Sequence, residues 1–304
     1  MNQPLFDRIA IIGLGLIGSS IARCVRDRGI CKWLSGAEAD PNARAVAEGL
    51  DLCDAYFDDV GSAVVDADLV IVCVQIKSMG DIAKAMAPSL KPGAIVSDVG
   101  SVKSAVFAEM QAHLPAGVHF IPGHPVAGTE QSGPSAGFAT LFDKRWTILT
   151  PAPDSDQDAV ERLKSFWEAC GSSVEIMDAD HHDRVLAITS HLPHLIAYSI
   201  VGTASDLEQV SEGEVLKFSA GGFRDFTRIA ASNPSMWRDV FLTNKEAVLE
   251  MLGRFSEDLS VLQRAIRWGN GDDLYDRFEK TRAIRRGIID VGQETEEPNF
   301  GRSK

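Results

Sequence analysis

The chain has 304 residues, of which 45% are hydrophobic and 24% charged, a composition of folded globular proteins that excludes disordered and fibrous classes. A chain of this length is expected to fold as two domains. The 30 Lys and Arg residues against 43 Asp and Glu give a net charge of −13, which disfavours sequence-independent binding to nucleic acid or to an anionic membrane, so neither partner is expected.

The first part of the chain alternates short β-branched runs with helical stretches. The predicted strands are 8–12, 33–39, 69–74, 94–98, 118–121, 146–150 and 173–177. Strands that alternate with helices are typical of a parallel sheet covered on both faces. We therefore predict an α/β fold with a Rossmann-type, doubly wound parallel sheet over residues 1–178.

The strand pattern stops after Asp178, and the remainder is predicted to be helical. Apolar residues recur at helical spacing from 236 to 268, which predicts one amphipathic helix with a broad apolar face. A final helix follows the turn at 269–273, and the last dozen residues are predicted to form a loose tail. No apolar run reaches the about 18 residues that a membrane span needs. Residues 179–304 thus form the predicted helical C-terminal domain.

A glycine-rich loop, Gly13-Leu14-Gly15-Leu16-Ile17-Gly18, stands between the first strand and a helix. In this context Gly13 permits a tight turn, Gly15 lets the backbone approach a pyrophosphate, and Gly18 allows the helix to pack closely on the strand. The N-terminus of the helix supplies unpaired N–H groups to the phosphates. The loop predicts a dinucleotide site, with the alternative that the glycines only form a turn.

Asp40 ends the next predicted strand, 22 residues after Gly18. A carboxylate there can accept hydrogen bonds from the ribose hydroxyls and would repel a 2′-phosphate, which favours NAD over NADP. The nearby Arg44 weakens this preference, and Asp40 could instead only cap the helix that follows Pro41.

Polar residues follow three predicted strands, where ligands of doubly wound sheets bind. They are Gln75, Ser101 and His124. A hydride that leaves a carbon bearing a hydroxyl needs an acceptor for the hydroxyl proton, and neutral imidazole suits this role. His124 is the candidate acceptor, with an ordinary loop histidine as the alternative. Ser101 could contact the substrate or form a helix N-cap.

The helical part carries a histidine cluster, with His181 and His182 followed by His191 and His194. The cluster has no H-E-x-x-H pattern and no cysteine ligands, so we predict no metal site. His191 and His194 are interpreted as polar groups aimed at a ligand, or else as satisfied core histidines beside Pro193. His181 and His182 are expected to face solvent or to cap the helix.

Two arginines, Arg224 and Arg228, follow a double glycine. Arginine binds carboxylates through two parallel hydrogen bonds, which implies an anionic small-molecule substrate. A surface salt-bridge cluster is the alternative. The five cysteines are scattered and include no C-x-x-C pair, which favours a reducing cytoplasm over disulfides.

From Ile9 to about Ile288 the chain resembles the prephenate and arogenate dehydrogenases, also called cyclohexadienyl dehydrogenases. The glycine loop is shared by many Rossmann enzymes, whereas the later motifs are specific in combination. The matching stretches are Gly13-Leu14-Gly15-Leu16-Ile17-Gly18-Ser19-Ser20, Asp98-Val99-Gly100-Ser101-Val102-Lys103, His124-Pro125-Val126-Ala127-Gly128-Thr129-Glu130, Ser190-His191-Leu192-Pro193-His194 and Gly222-Phe223-Arg224-Asp225-Phe226-Thr227-Arg228-Ile229-Ala230, with Met236-Trp237 and Asn244 beyond them.

The resemblance implies an NAD-dependent oxidative decarboxylation in tyrosine biosynthesis. It makes His124 the acceptor for the hydroxyl at ring C4 and Ser101 a contact of that hydroxyl and of the nicotinamide. His191, His194 and Arg228 would bind substrate polar groups, with Arg228 facing a carboxylate. Thr129 and Glu130 would also belong to the substrate site. The resemblance further implies a homodimer formed through the helical domain.

Prephenate and arogenate differ in a keto or an amino group, and Glu130 could attract the ammonium group of arogenate. We therefore predict dual specificity. The alternatives are a β-hydroxyacid dehydrogenase of the hydroxyisobutyrate type and a non-catalytic NAD(H) sensor. Enzymes of the first kind resemble one another in a catalytic lysine on the first helix of the second domain. The corresponding residues of this chain, 183–189, contain no lysine.

Overall fold

The structure is a computed structural model that describes residues 3–208, 217, 219 and 221–290. The described part of the chain divides into two compact units, one up to Val248 and one from Leu249 onwards. The predicted loose tail lies outside the described residues. The predicted domain boundary at residue 178 stays a prediction.

The first unit is built on a six-stranded parallel sheet, which confirms the predicted fold class. Its strands are β1 (Phe6–Ile12), β2 (Cys31–Ala37), β3 (Ala55–Phe57), β4 (Leu69–Val72), β5 (Ile95–Asp98) and β6 (His119–Phe120). They lie in the order β3-β2-β1-β4-β5-β6, so the strand order reverses between β1 and β4. Ligands of doubly wound sheets bind at the carboxyl ends of the strands beside such a reversal.

Helices cover both faces of this sheet because side chains of a strand point alternately to opposite sides. Ile9 and Ile11 of β1 belong to one apolar core, and Ala10 and Ile12 to the other. The helices of this part are α1 (Leu16–Arg28), α2 (Pro41–Gly49), α3 (Val60–Ala63), α4 (Met79–Met86), α5 (Ser104–Gln111) and α6 (Gln157–Ala169).

The last predicted strands form a second sheet, so the prediction of one sheet for all of them is wrong. This sheet contains β7 (Gly123–Pro125), β8 (Trp146–Leu149) and β9 (Ser173–Ile176). Strand β7 pairs with β8 antiparallel, and β8 pairs with β9 in parallel. The chain leaves the first sheet after β6 and turns into β7, which places His124 on a strand rather than in a loop.

Helices make up the rest of the described chain. They are α7 (Ala179–Leu186), α8 (Leu192–Glu208), α9 (Gly221–Thr227), α10 (Pro234–Thr243), α11 (Lys245–Trp268) and α12 (Gly271–Asp290). A π-helical turn, Ala187–His191, joins α7 to α8. The single helix predicted for 236–268 is wrong, because α10 ends at Thr243 and α11 begins at Lys245. Trp237 and Val240 of α10 pack into the same core as α4 and α5.

One helical stretch, Ala179–Asp206, is long enough to cross a membrane and contains a segment apolar enough to do so. The expectation that no apolar run is long enough for a membrane span is therefore wrong, since residues 186–205 contain no Asp, Glu, Lys or Arg. Core helices of soluble proteins also have this length and composition.

Candidate active site

The glycine loop connects β1 to α1 at the carboxyl edge of the sheet. Gly13 has a φ of 92°, and a Cβ there would lie 2.7 Å from the carbonyl oxygen of Cys73. A Cβ on Gly18 would collide with the carbonyl oxygen of Gly13, so α1 can pack on β1 only if this position is glycine. At Gly15 a Cβ would meet no atom within 4 Å. The loop thus leaves open space beside its middle glycine, which a pyrophosphate needs.

The start of α1 offers backbone donors at this open space. Gly15 is the N-cap residue, and within the described residues no side chain caps this end of the helix. Leu16 and Ile17 are the first two helical residues, whose N–H groups have no partner within a helix. Their N–H groups and the positive end of the helix dipole suit an anion.

Two carboxylates follow β2, and they make different contacts. Glu38 accepts hydrogen bonds from the backbone N–H of Leu14 at 2.9 Å and of Asp40 at 3.1 Å. Asp40 caps α2 by accepting from the backbone N–H of Asn42 at 2.9 Å. Glu38 therefore lies against the glycine loop, although it was not among the residues predicted from the sequence. Its position directly after the strand, 20 residues beyond Gly18, was the available signal.

Gln75 follows β4, the strand next to β1 in the sheet. Its side chain is exposed, and its backbone carbonyl accepts from the N–H of Ser78 at 2.9 Å, which starts a short 3-10 turn. Gln75 thus stands at the carboxyl edge on the other side of the strand-order reversal from Glu38.

A buried ion pair joins the end of β5 to the chain that follows it. Asp98 and Lys103 are both fully buried and form a salt bridge. The Lys103 ammonium also donates to the carbonyl of Gly123 at 2.7 Å, and Asp98 accepts from the backbone N–H of Gly100 at 2.7 Å and of Gly123 at 3.2 Å. The pair thereby fixes the start of β7, one residue before His124.

His124 is buried on β7, with 7% of its surface exposed. Its Nδ1 lies 2.9 Å from Nε2 of His182. Burial holds the pKa of His124 well below its ordinary value, and the positive charges that His182, Lys103 and His191 can carry lower it further. A neutral imidazole of this kind can accept a proton at neutral pH.

His182 is fully buried, so the expectation that it faces solvent or caps a helix is wrong. Asp178 caps α7 instead, through the N–H of the exposed His181 at 2.8 Å. Nδ1 of His182 lies 2.8 Å from Oδ1 of Asp183, the next residue. Neither His182 nor Asp183 was predicted from the sequence to belong to the site.

Ser101 is half-buried just beyond β5. The interpretation of Ser101 as a helix N-cap is wrong, because α5 begins at Ser104 with Lys103 as its N-cap residue. The Asp183 carboxylate accepts from the backbone N–H groups of Lys103 and Ser104 at 2.8 and 3.0 Å and so takes over the capping role. The hydroxyl of Ser101 therefore has no role in capping α5.

His191 ends the π-helical turn and is fully buried. Its Nδ1 lies 3.1 Å from the amide nitrogen of Asn244, which also donates to the backbone carbonyl of Asp183 at 2.8 Å. Burial lowers the pKa of His191 to about 4. The negative charge of Asp183 and the backbone of Ser101 act in the opposite direction and offset part of this shift. Asn244, the residue that separates α10 from α11, therefore connects His191 to the Asp183 segment.

His194 lies one turn further along and stacks on Trp237, with ring centroids 3.6 Å apart. Its Nδ1 donates to the carbonyl of Ser190 at 2.9 Å. Burial lowers the pKa of His194, and the nearby charge of Arg228 lowers it further. These contacts place His194 between the buried histidines and Arg228.

Arg228 pairs with Glu130 through a 2.8 Å contact, and both side chains are about one-third exposed, at 38% and 33%. Thr129, the neighbour of Glu130, is exposed and accepts from the N–H of Gln131 at 3.2 Å. Arg224 is 79% exposed, so of the two arginines only Arg228 lies close to the histidines.

Three buried nitrogen atoms near these groups have no hydrogen-bond partner among the described residues. They are Nε2 of His191, Nε1 of Trp237 and Nε of Arg228. Buried polar atoms are normally paired, so these three nitrogen atoms are available to a polar ligand or to water. The described residues contain no group of three or more His, Cys, Asp or Glu side chains that could hold a metal ion.

Comparison with known proteins identifies relatives of nearly the whole chain. Residues 21–176 match the family model described as prephenate dehydrogenase, nucleotide-binding domain, and residues 178–280 match prephenate dehydrogenase, dimerization domain. A curated relative, the cyclohexadienyl dehydrogenase of Zymomonas mobilis, is 44% identical over 286 residues, which are 94% of this chain and 97% of the relative.

Solved structures give the same family. The prephenate dehydrogenase from A. aeolicus, in complex with hydroxyphenyl propionate and NAD+, superposes with a TM-score of 0.87 at 31% identity and covers 95% of this chain and 99% of that one. The Synechocystis arogenate dehydrogenase superposes with a TM-score of 0.78 at 27% identity, over 92% and 99% of the two chains.

Proposed function

The chain belongs to the prephenate dehydrogenase family of oxidoreductases, and we propose that it carries out the NAD-dependent oxidative decarboxylation of prephenate and arogenate in tyrosine biosynthesis. The observation that carries the proposal is the buried neutral imidazole of His124 at the carboxyl edge of the sheet. The family membership favours this function over a hydroxyisobutyrate-type dehydrogenase and over a non-catalytic NAD(H) sensor.

The reaction needs one proton acceptor at ring C4 of the substrate. Nε2 of His124 accepts the proton of the C4 hydroxyl as the carbinol carbon becomes a ketone. The hydride that leaves C4 would be accepted by NAD when it is bound. The ring carboxylate then departs as carbon dioxide, its bonding electrons enter the ring, and His124 returns the proton to the oxygen of the new phenol. The reaction therefore needs no further reactant. Ser101 would hydrogen-bond the C4 hydroxyl of the substrate.

The residues at the carboxyl edge fit NAD. The open space at Gly15 and the N–H groups of Leu16 and Ile17 would bind the pyrophosphate. Because Asp40 already caps α2 and Glu38 lies against the glycine loop, we assign the ribose hydroxyls to Glu38 instead of Asp40. Gln75 would line the opposite side of the cofactor.

Glu38→Gln is expected to weaken NAD binding about 10- to 100-fold, because hydrogen bonds to a charged group contribute about 1.5–3 kcal/mol. The matched control is Asp40→Asn, which keeps an acceptor for Asn42 and should leave NAD affinity near that of the wild type. Titration calorimetry with NAD measures both variants. A larger loss in Asp40→Asn than in Glu38→Gln would return the ribose to Asp40.

The unpaired nitrogen atoms of His191, Trp237 and Arg228 would bind the polar groups of the substrate, together with His194. Arg228 retains donors beyond the one that contacts Glu130. An ion pair that is about one-third exposed contributes little stability, about 0–1 kcal/mol, so a substrate carboxylate can share or replace it at small cost. Glu130 would accept the ammonium group of arogenate, with Thr129 beside it.

The dual specificity is tested by following NAD reduction with prephenate and with arogenate, each also with NADP. We expect turnover of both substrates with NAD and weaker activity with NADP. Failure of one substrate would limit the enzyme to the other, and failure of both would overturn the proposed function.

We also propose that the enzyme is a cytoplasmic homodimer. The second part of the chain matches a family model described as a dimerization domain. Helices α11 and α12 expose large apolar side chains, namely Leu249, Leu259, Ile266, Trp268, Tyr275, Phe278 and Ile284. Exposed apolar surface of this extent is typical of protein interfaces. The five cysteines are scattered and include no C-x-x-C pair, which favours a reducing compartment.

A further inference from the structure

Two buried side chains behind His124 have no part in the reaction described above. We propose that His182 and Asp183 are positioning residues that hold His124 in the tautomer with a protonated Nδ1 and an unprotonated Nε2. The inference rests on the proposed role of His124 as the proton acceptor. It assigns to His182 and Asp183 the task of making that acceptor available before substrate binds.

The three side chains form one continuous chain of hydrogen bonds. Oδ1 of Asp183 lies 2.8 Å from Nδ1 of His182, and Nε2 of His182 lies 2.9 Å from Nδ1 of His124. The two imidazole rings meet edge to face, with centroids 5.1 Å apart and an angle of 72° between their planes. His182 is fully buried and Asp183 is 6% exposed, so water does not compete for these bonds.

The positions of the protons along these hydrogen bonds follow from the Asp183 carboxylate, which can only accept hydrogen bonds when it is ionised. Burial raises the pKa of the Asp183 carboxyl, but hydrogen bonds from His182 and from the backbone N–H groups of Lys103 and Ser104 lower it below its ordinary value. Asp183 is therefore ionised and accepts from Nδ1–H of His182. A neutral His182 then has a lone pair on Nε2, so the shared proton lies on Nδ1 of His124.

The opposite arrangement needs a doubly protonated His182, which would donate to His124. Burial disfavours this form and lowers the pKa of His182, although Asp183 and Asp98 oppose the shift. The positive charge of Lys103 lowers the pKa of both His182 and His124, and His191 acts in the same direction on His124. Both imidazoles are thus neutral, and Nε2 of His124 keeps its lone pair.

Several elements hold Asp183 in place. Its carboxylate binds two N–H groups at the start of α5, and its carbonyl accepts from Asn244 between α10 and α11. His124 itself is held by β7, whose first residue is bound by the Lys103 ammonium. The tautomer is therefore set by contacts between segments far apart in the sequence, independently of any bound substrate.

The test compares His182→Phe, which removes the acceptor for Nδ1–H of His124, with His182→Gln, whose amide oxygen can still accept. We expect His182→Phe to lower kcat about 100-fold, near the lower end of what a positioned base contributes, with little change in KM or NAD affinity. His182→Gln should recover part of this loss. The control is His181→Phe at the exposed neighbouring position, which should keep wild-type kcat.

The tautomer itself is read by ¹⁵N NMR of protein labelled at histidine, with His124→Asn used to assign the His124 signals. In the wild type, Nε2 of His124 should show the shift of an unprotonated nitrogen and Nδ1 that of a protonated one, and in His182→Phe this preference should be lost. A protonated Nε2 in the wild type overturns the proposal, even if the variants do not fold. Wild-type kcat in a folded His182→Phe also overturns it.

The two measurements separate this inference from the proposed function. A wild-type protein that turns over neither substrate but shows the expected tautomer would remove the function and keep the hydrogen-bond chain. Turnover of both substrates with the opposite tautomer would keep the function and remove the role of His182 and Asp183.

Discussion

Replacing His124 with asparagine is expected to lower kcat by about 10²- to 10⁴-fold, the contribution of a positioned general base. Asparagine keeps a donor that can reach Nε2 of His182, so the buried hydrogen bond at 2.9 Å has a substitute. What the variant lacks is a group that can take the hydroxyl proton. The loss should therefore appear in kcat, while KM for the substrate stays close to that of the wild type.

The kcat of His124→Asn is measured beside NAD affinity, which should remain nearly unchanged because the glycine loop and Glu38 are intact. His113→Asn is the matched control, since His113 is exposed on the same part of the chain. A kcat for His124→Asn near that of the wild type would remove His124 from the acceptor role.

The pH dependence of kcat/KM follows from the same imidazole. Only neutral His124 can accept a proton, and burial holds its pKa well below the ordinary value of 6.5. As the pH falls through 6.5, His124 thus stays neutral and activity should persist, with the acid limb appearing only at lower pH. An acid limb centred at or above 6.5 would contradict this electrostatic description of the site.

Lys103→Met is expected to lower the free energy of unfolding by about 3–5 kcal/mol, because it leaves the Asp98 carboxylate buried without its counter-charge. The remaining partners of Asp98 are the N–H groups of Gly100 and Gly123, which do not carry a full positive charge. The same substitution removes the bond to the Gly123 carbonyl and so loosens the start of β7. Urea unfolding measures the loss.

Two further variants isolate the effect of the buried charge. Asp98→Asn combined with Lys103→Met removes both charges and should be less destabilised than Lys103→Met alone. Lys91→Met breaks the partly exposed pair with Asp68 and should cost only about 0–1 kcal/mol. A loss in Lys103→Met of only about 0.5 kcal/mol, as at an ordinary surface position, would show that Asp98 is stabilised in another way.

Local patterns explain why much of the fold could be predicted from the sequence. Runs such as Ile9 to Ile12 are buried on both sides, and a parallel sheet under two helical layers is the arrangement that buries them. The glycine loop is equally local, since the turn at Gly13 and the contact of Gly18 depend on residues within a few positions.

The parts that could not be predicted depend on contacts across long sequence separations. His182 lies on a helix whose sequence does not reveal its role, and its burial is explained by its hydrogen bonds with Asp183 and with His124, 58 positions away. Asn244 lies within an apolar pattern that continues on both sides, so periodicity alone does not show that a helix ends there. Its contacts with His191 and Asp183 are visible only in the structure.

Glu38 and Asp40 show a third limit. Both carboxylates lie near the expected spacing from the glycine loop. They are only two positions apart, yet Glu38 contacts the loop whereas Asp40 caps α2. Element boundaries are the least predictable feature of a sequence. The predicted strand ended at residue 39, whereas β2 ends at Ala37, and this difference moves the assignment from Asp40 to Glu38.

The most direct test of the proposed function is the stoichiometry of the reaction with prephenate and NAD, measured as NADH formed and carbon dioxide released in one sample. Oxidative decarboxylation requires equal amounts of the two products, together with a phenolic product, and this is the expected result. NADH without carbon dioxide would indicate a simple alcohol dehydrogenase, and neither product would contradict the assignment of this site to prephenate.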